Sequence, residues 1–219
     1  MDDFWQTTPQ TKLWRRKKVK KLIPLLLVIL MLGCSGLKRE YPKRDFYTLE
    51  VVNVMEAVQG VGRNYLKIQR SEINPVYFQR DFNYKTGQDE FISDYYNQFY
   101  KPVNTIVTAE LYKWLSNSGL FKDVLPIESI VKAKYLLDSI IVDIYADFTD
   151  PENPKAVLNI QFFLVDDSGD DPKLVYTNVY NQTVELAGKG PNSVVDGWNK
   201  ALENILNQFQ SDLKSVKNL

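Results

Sequence analysis

The chain contains no histidine, and Cys34 is its only cysteine. The absence of histidine excludes Ser-His-Asp and Cys-His catalysis and every metal site that needs an imidazole ligand. A single cysteine excludes an intramolecular disulfide and zinc sites built from several thiolates. Most familiar hydrolase mechanisms are therefore excluded, and we expect no cofactor, no metal and no enzymatic activity.

Positive charge is most concentrated in the N-terminal region. The 27 basic and 27 acidic residues cancel, yet six of the seven residues from 15 to 21 are basic. A cut before Cys34 removes seven cations and two anions, which leaves 20 basic and 25 acidic residues and a net charge of −5. Because nonspecific nucleic-acid binding depends on neutralising phosphates, this mildly acidic body argues against a nucleic-acid partner.

The basic segment is followed by the apolar run Leu22–Leu32 and then by Gly33, Cys34 and Ser35. A charged region, an apolar region and a small residue form the order of a secretory signal. The run of 11 residues is shorter than the roughly 20 needed to cross a bilayer. We therefore predict a signal peptide over residues 1–33. The alternative is a short uncleaved membrane helix that ends at an incidental thiol.

The four residues Met31, Leu32, Gly33 and Cys34 resemble a bacterial lipobox. The resemblance implies cleavage before Cys34, acylation of this cysteine and attachment of the mature chain to a membrane. Residues 34–45 are polar and interrupted by Pro42, which is typical of a tether. Ser35, rather than aspartate, resembles an outer-membrane address, so we expect the domain at the periplasmic face of that membrane.

The remaining residues, 46–219, predict one domain of the α+β class. Stretches rich in aromatic and β-branched residues, separated by turn formers, indicate strands, and the last three suggest an antiparallel meander. We expect strands over Phe46–Val54, Tyr65–Ile73, Val76–Tyr84, Phe91–Phe99, Tyr135–Phe148, Lys155–Val165 and Leu174–Leu186.

Two segments have apolar residues at helical spacing, one after Pro102 and one from about Ser193. Gly119 is expected to end the first helix. In the strand from Lys155, Leu158, Ile160, Phe162 and Leu164 alternate with polar residues, so one face of the sheet is buried. We therefore expect a mostly antiparallel sheet covered by two amphipathic helices.

Nine of the 24 phenylalanine and tyrosine residues lie between positions 77 and 100. Since a strand alternates its faces, these rings cannot all point inward. Tyrosine suits a wet interface, because its ring buries apolar area while its hydroxyl stays hydrated. We propose a contact surface for a partner or a lipid formed by Tyr84, Tyr95, Tyr96 and Tyr100. The alternative is ordinary cross-strand pairing of aromatic side chains.

Acidic residues offer two further candidate sites. The loops Asp147–Glu152 and Asp166–Asp171 contain carboxylates that can bind Ca²⁺, but neither follows the EF-hand order, so solvated turns are the preferred interpretation. Asp143 and Asp147 have the residue types of a glycosidase acid pair, but the strand pattern already explains them.

The order of these parts resembles the ABC-type transport auxiliary lipoproteins, the PqiC-like family associated with MCE-type lipid transporters. The resemblance extends over essentially the whole mature chain. It is carried by the lipobox, Phe46-Tyr47-Thr48-Leu49, Phe99-Tyr100-Lys101-Pro102, residues 115–121, Tyr135-Leu136-Leu137, Ala156-Val157-Leu158, Trp198 and Asn199.

The resemblance implies a non-catalytic auxiliary subunit whose partners are an MCE-domain substrate-binding protein, an ABC permease and an ATPase. Together they move phospholipid or other apolar molecules across the envelope, and a ring-like or other homo-oligomer would suit such a conduit. The chain contains no G-x-x-x-x-G-K-[ST] loop, so ATP hydrolysis is expected in another subunit. Two alternatives remain open: a lipoprotein that chaperones or plugs an outer-membrane β-barrel, and an enzyme that acts on cell wall or lipid.

Overall fold

The computed structural model describes residues 43–52, 62–216 and 219, which belong to one unit starting at Lys43. The predicted signal peptide, the lipobox and most of the tether lie outside the described residues. The strands are β1 (Asp45–Tyr47), β2 (Tyr65–Ile68), β3 (Glu72–Ile73), β4 (Asp81–Lys85), β5 (Phe91–Phe99), β6 (Asp123–Pro126), β7 (Tyr135–Asp147), β8 (Lys155–Asp166) and β9 (Lys173–Glu185). The helices are α1 (Val103–Ser116) and α2 (Pro191–Leu213), with a 3₁₀ turn at Pro75–Tyr77.

Strand β7 is the centre of the sheet. Along one edge it pairs in parallel with three short strands in succession, β2, β3 and β4. Its other edge pairs antiparallel with β8, which in turn pairs antiparallel with β9. Beyond β4 the sheet continues through β5 to β1, and β6 pairs with β2. The predicted meander of the last three strands is therefore confirmed.

The α+β class with two helices is confirmed, but the expectation of a mostly antiparallel sheet is wrong, because the sheet is mixed. Five of its strand pairings are parallel: β1 with β5, β2 with β6, and β7 with β2, β3 and β4. Parallel neighbours need a long crossover between them. Here the chain leaves β4, passes through β5, α1 and β6, and enters β7 in the direction of β4.

The first predicted strand is much shorter than expected, since β1 ends at Tyr47. After it the backbone bonds to helix side chains instead of to a neighbouring strand. The Glu50 amide donates to Asn199 Oδ1 (3.0 Å), and the Val51 amide donates to Glu110 Oε2 (2.9 Å). These bonds satisfy both amides without a ladder partner, so the strand geometry is not needed there.

The two strands predicted over Tyr65–Ile73 and Val76–Tyr84 are also interrupted. The first divides into β2 and β3 around buried Ser71, whose hydroxyl lies 2.7 Å from Ser139 Oγ. The second begins only at Asp81, because the 3₁₀ turn at Pro75–Tyr77 occupies its first residues. Polar side-chain bonding and a proline at the first helical position explain these breaks.

Both helices follow the predicted patterns. Helix α1 ends at Ser116, and Gly119 takes a left-handed φ of 70°, as expected for a residue that stops a helix. The apolar residues at helical spacing in the last helix are all buried in α2; they are Val194, Val195, Trp198, Ala201, Leu202, Ile205, Leu206, Phe209 and Leu213. The two helices are joined by a buried hydrogen bond from Trp114 Nε1 to Gln210 Oε1 (2.7 Å).

The core lies between α2 and the inner face of the sheet, where Trp198 is fully buried. Its ring lies against Phe82 and Phe99, with centroid distances of 4.9 and 5.3 Å, and its Nε1 donates to the Tyr145 carbonyl (3.1 Å). Phe209 stacks on Phe162 at 4.1 Å in the same layer. One helix therefore contacts strands β4, β5, β7 and β8.

No helix within the described residues is long and apolar enough to cross a membrane.

Gly197→Ala should destabilise the fold, because the space beside this glycine of α2 is filled by neighbouring side chains. An added Cβ would lie 2.5 Å from Leu186 Cδ2 and 2.7 Å from Ala156 Cβ. We expect the free energy of unfolding to fall by about 1–3 kcal/mol, the usual cost of overpacking, despite a helix-propensity gain of up to about 1 kcal/mol. Urea unfolding monitored by tryptophan fluorescence measures the change.

Gly169→Ala is the control, since this turn position has nothing closer to an added Cβ than Asp171 N at 4.0 Å. Its stability should stay the same or rise by less than about 1 kcal/mol. A Gly197→Ala protein as stable as the control would contradict the close approach.

Candidate interaction surface

The structure places three of the four predicted tyrosines on the surface. Tyr95, Tyr96 and Tyr100 are 55, 47 and 64% exposed. Tyr84 is half-buried and packs edge-on against Phe148 at 5.5 Å. Its hydroxyl donates to Asp94 Oδ2 (3.1 Å), so Tyr84 lies behind the surface and supports it.

A three-residue bulge presents two of these tyrosines. On β4, Asp81 and Phe82 are consecutive, but their partners on β5 are Gln98 and Asp94. The residues 95–97 therefore lack partners on β4 and project from the ladder. The rings of Tyr95 and Tyr96 pack edge to face within this bulge, with centroids 5.5 Å apart.

The carboxylate of Asp94 holds the bulge together. It accepts the backbone amides of Tyr96 (2.9 Å) and Asn97 (3.2 Å) and the side-chain amide of Asn97 (2.7 Å), besides the Tyr84 hydroxyl. Burial alone would raise the pKa of Asp94, but these hydrogen bonds outweigh burial and lower its pKa below the usual range. Burial and the adjacent Asp94 raise the pKa of Tyr84, which keeps its hydroxyl protonated.

Two arginines complete the surface. The Arg44 guanidinium lies 3.6 Å from the centre of the Tyr95 ring. The Arg80 guanidinium lies 5.9 Å from the Phe46 ring and donates to the Tyr100 carbonyl (3.2 Å). These contacts are cation–π pairs, in which a ring face attracts a cation.

Phe46 is 49% exposed and packs edge-on against Tyr100, with centroids 6.5 Å apart. Because Arg44 lies directly before β1 and Phe46 lies on it, the two arginine–aromatic groups are neighbours along the chain. We call the whole group the aromatic–arginine surface; its members are Arg44, Phe46, Arg80, Tyr95, Tyr96 and Tyr100.

The alternation of β5 determines what faces outward at its end. Phe99 is buried against Phe82 and Trp198. Tyr100 follows it and is exposed, and its amide donates to the Tyr47 carbonyl (2.7 Å). The burial of the Phe99 ring in the core therefore directs the Tyr100 ring outward.

A groove of about 410 Å³ lies between the end of β1 and the first turns of α1. Phe46 and Tyr100 line it on one side, and Ile106 and Glu110 line it on the other. The aromatic–arginine surface therefore continues into a concave region. A second groove of about 310 Å³ lies along the other side of α1, next to Tyr112.

The other predicted site residues have local roles or lie elsewhere. Met31, Leu32, Gly33 and Cys34 lie outside the described residues. Asp147, Asp150 and Asp166 accept hydrogen bonds from residues two or three positions later in their own turns. Asp143 accepts from Tyr77 and Asn159. Within residues 43–52, 62–216 and 219, no group of three or more acidic or cysteine side chains is placed to hold a metal ion.

Sequence reasoning missed Phe46, Arg44 and Arg80. Arg44 looked like part of the polar tether, and Phe46 looked like the first residue of a strand of nine. Many sequences have a basic residue two positions before an aromatic residue. This pattern therefore does not identify Arg44 and Phe46 as members of a surface. Only the parallel pairing of β1 with the end of β5 brings them beside the tyrosines.

No family model matches the chain, and no curated protein matches it. Solved structures do share its fold. Protein XCC0632 from Xanthomonas campestris, of family DUF330, aligns with a TM-score of 0.67 at 13% identity, over 76% of this chain and 92% of its own. An uncharacterized protein aligns with a TM-score of 0.62 at 10% identity, over 78% of this chain and 99% of its own. At such low identity, these matches establish the fold alone.

PelC from Paraburkholderia phytofirmans, a dodecamer, aligns with a TM-score of only 0.41 at 15% identity, over 71% of this chain and 92% of its own. This likeness is too weak to support a conclusion about assembly.

Asp94→Asn should loosen the bulge, because it removes the charge that three amide hydrogens and a hydroxyl share. We expect the free energy of unfolding at neutral pH to fall by about 1 kcal/mol, after allowing for the partial exposure of the carboxylate. The fold lowers the pKa of Asp94. Its stabilisation is therefore complete above the unfolded pKa of about 3.9 and is lost as the pH falls through the lower folded pKa.

Urea unfolding of both proteins between about pH 7 and pH 2 tests this sign, since the stability gap should close only at the acid end. Asp89→Asn, which removes an exposed charge from the turn of the same hairpin, should change stability by less than about 0.5 kcal/mol at neutral pH. A gap between wild type and Asp94→Asn that stays constant with pH would show that the charge of Asp94 does not stabilise the bulge.

Proposed function

We propose that this chain is a lipid-anchored, non-catalytic auxiliary subunit of an ABC transport system of the MCE type. The system would move phospholipid or other apolar molecules across the cell envelope and thereby support membrane integrity. One observation carries the proposal: a lipobox-like segment ends nine residues before a domain that has the fold of a DUF330 protein.

Acyl chains on Cys34 would provide the anchor. Each buried CH₂ contributes about 0.8 kcal/mol, so several chains hold a protein far more firmly than one myristoyl group does. The nine residues from Cys34 to Lys43 span at most about 30 Å when fully extended. The domain would therefore work within that distance of the membrane, at the periplasmic face of the outer membrane.

Recognition, rather than chemistry, is the task we assign to the domain. The carboxylates of Asp94 and Asp143 each accept hydrogen bonds from neighbouring side chains, and Asp212 accepts the hydroxyls of Tyr176 and Tyr180. Hydrogen bonding to neighbouring side chains therefore explains the positions of these carboxylates. In the proposed system the energy comes from an ATPase subunit, and the apolar cargo passes through an MCE-domain protein and a permease, to which this chain binds.

The mass of the mature protein tests the anchor. We expect protein purified from bacterial membranes to lack residues 1–33 and to carry acyl groups on Cys34. Cys34→Ser should keep its leader and carry no lipid. An unmodified Cys34 within an intact leader would refute the anchor and the proposed function with it.

Ser35→Asp provides a matched variant for the membrane address. Its Cys34 should still be acylated, but the protein should move from the outer-membrane to the inner-membrane fraction in a density gradient. An unchanged distribution would contradict the proposed address without affecting the anchor.

Co-purification tests the transport role. After cross-linking in intact cells, we expect an MCE-domain protein, a permease and an ATPase to be enriched with the lipidated chain relative to Cys34→Ser. Enrichment of an outer-membrane β-barrel protein instead would support the chaperone alternative and refute the transport role.

A further inference from the structure

The tether enters the fold within the aromatic–arginine surface. Lys43 is the first described residue, and Arg44 next to it stacks on Tyr95. Phe46 follows two residues later and contacts Tyr100. Whatever holds Cys34 is therefore connected to this surface by nine residues of chain.

We propose that the aromatic–arginine surface rests on the lipid bilayer that holds Cys34, with its rings in the headgroup layer and its arginines on lipid phosphates. This inference depends on the proposed acylation of Cys34. It adds a second contact with the membrane and an orientation for the domain.

The composition of the surface suits a membrane interface. Tyrosine is enriched at headgroup depth, because its ring is apolar and its hydroxyl is hydrated. The rings of Tyr95, Tyr96 and Tyr100 stay exposed around the bulge and the end of β5, although Tyr95 contacts Tyr96 and Tyr100 contacts Phe46. Such rings can each enter a soft headgroup layer without a matching cavity, which a rigid protein partner would have to provide.

The charges of the surface favour an anionic layer. Lys43 and Lys101 are exposed beside Arg44 and Arg80, whereas the acids nearby are Asp45 on β1 and Asp81 and Asp94, which accept hydrogen bonds within the hairpin. Arginine pairs with phosphate through two parallel hydrogen bonds. The two stacked guanidinium groups are already held in place by their rings and a carbonyl, so less side-chain freedom is lost on binding.

The short tether makes even weak contacts effective. A second contact made by a chain that is already anchored is intramolecular, and its effective concentration is in the millimolar range for short linkers. Strand β9 lies at another edge of the sheet and is separated from β1 by the four strands β5, β4, β7 and β8. We therefore expect β9 to face away from the bilayer.

The lipidated full chain, reconstituted into phosphatidylethanolamine–phosphatidylglycerol vesicles, allows a direct test. Acylation would block Cys34, so an introduced cysteine is the only free thiol. A fluorophore on Tyr96→Cys reports from the surface, and one on Thr183→Cys, an exposed position of β9, is the matched control. We expect quenchers in the lipid phase to reach the label at position 96 and aqueous iodide to reach the label at position 183.

Arg44→Gln combined with Arg80→Gln should reduce the ratio of docked to undocked domain on these vesicles by roughly 30-fold, at about 1 kcal/mol for each basic residue near an anionic surface. The lipid-phase quenching at position 96 should fall accordingly, while circular dichroism confirms that the variant is folded.

Equal iodide quenching at both positions in an acylated, vesicle-bound protein would overturn this inference and leave the proposed function intact. Protection of position 96 only after the partner subunits are added would also overturn it, because the surface would then be a protein interface. An unacylated Cys34 would overturn both proposals.

Discussion

The packing of Trp198 against Phe82 and Phe99 is the contact on which the rest of the structure depends. It joins α2 to the β4–β5 hairpin, and the Nε1 hydrogen bond to Tyr145 joins the same side chain to β7. Besides this contact, β4 pairs with β7 over two residues, and Tyr84 and Phe91 of the hairpin pack against Phe148 and Tyr145. Because the indole is fully buried, the hairpin has one defined orientation on the core.

That orientation extends to the surface. With Phe99 pointing into the core, Tyr100 points outward, and β1 pairs with the end of β5 in the register that places Phe46 opposite Gln98. Further along β5, Asp94 gathers the amides of a three-residue bulge and turns two tyrosines out of the ladder. Core packing and one carboxylate thus place four exposed rings and two guanidinium groups on one side of the domain.

This arrangement would matter for a lipid-anchored protein, because the orientation of the domain relative to the membrane would decide which of its surfaces can reach a partner. A lipid on Cys34 alone would confine the domain near a bilayer but would leave it free to rotate on the tether. A tether that joins the fold inside an aromatic and basic surface would give the two proposed membrane contacts a common direction. In the proposed system, a fixed orientation would present the remaining surfaces of the domain to the periplasm, where the transport partners act.

The long elements follow from local patterns. Strands β7, β8 and β9 and helices α1 and α2 lie close to their predicted positions, since each has many apolar residues at one period and buries one face. The short strands are different. A segment of two to five residues is too short to show a clear period. The segments β2, β3 and β4 form strands because each of them pairs with the same edge of β7.

By itself, the sequence determined the class of the fold, its long strands and helices, the absence of histidine chemistry and the abundance of tyrosine near position 95. The tertiary structure decided that the sheet is mixed, that Tyr84 lies behind the surface, and that Arg44, Phe46 and Arg80 belong to it. The physical reason is range: periodicity records which face of an element is buried, whereas the pairing of β1 with β5 depends on packing between residues about 50 positions apart.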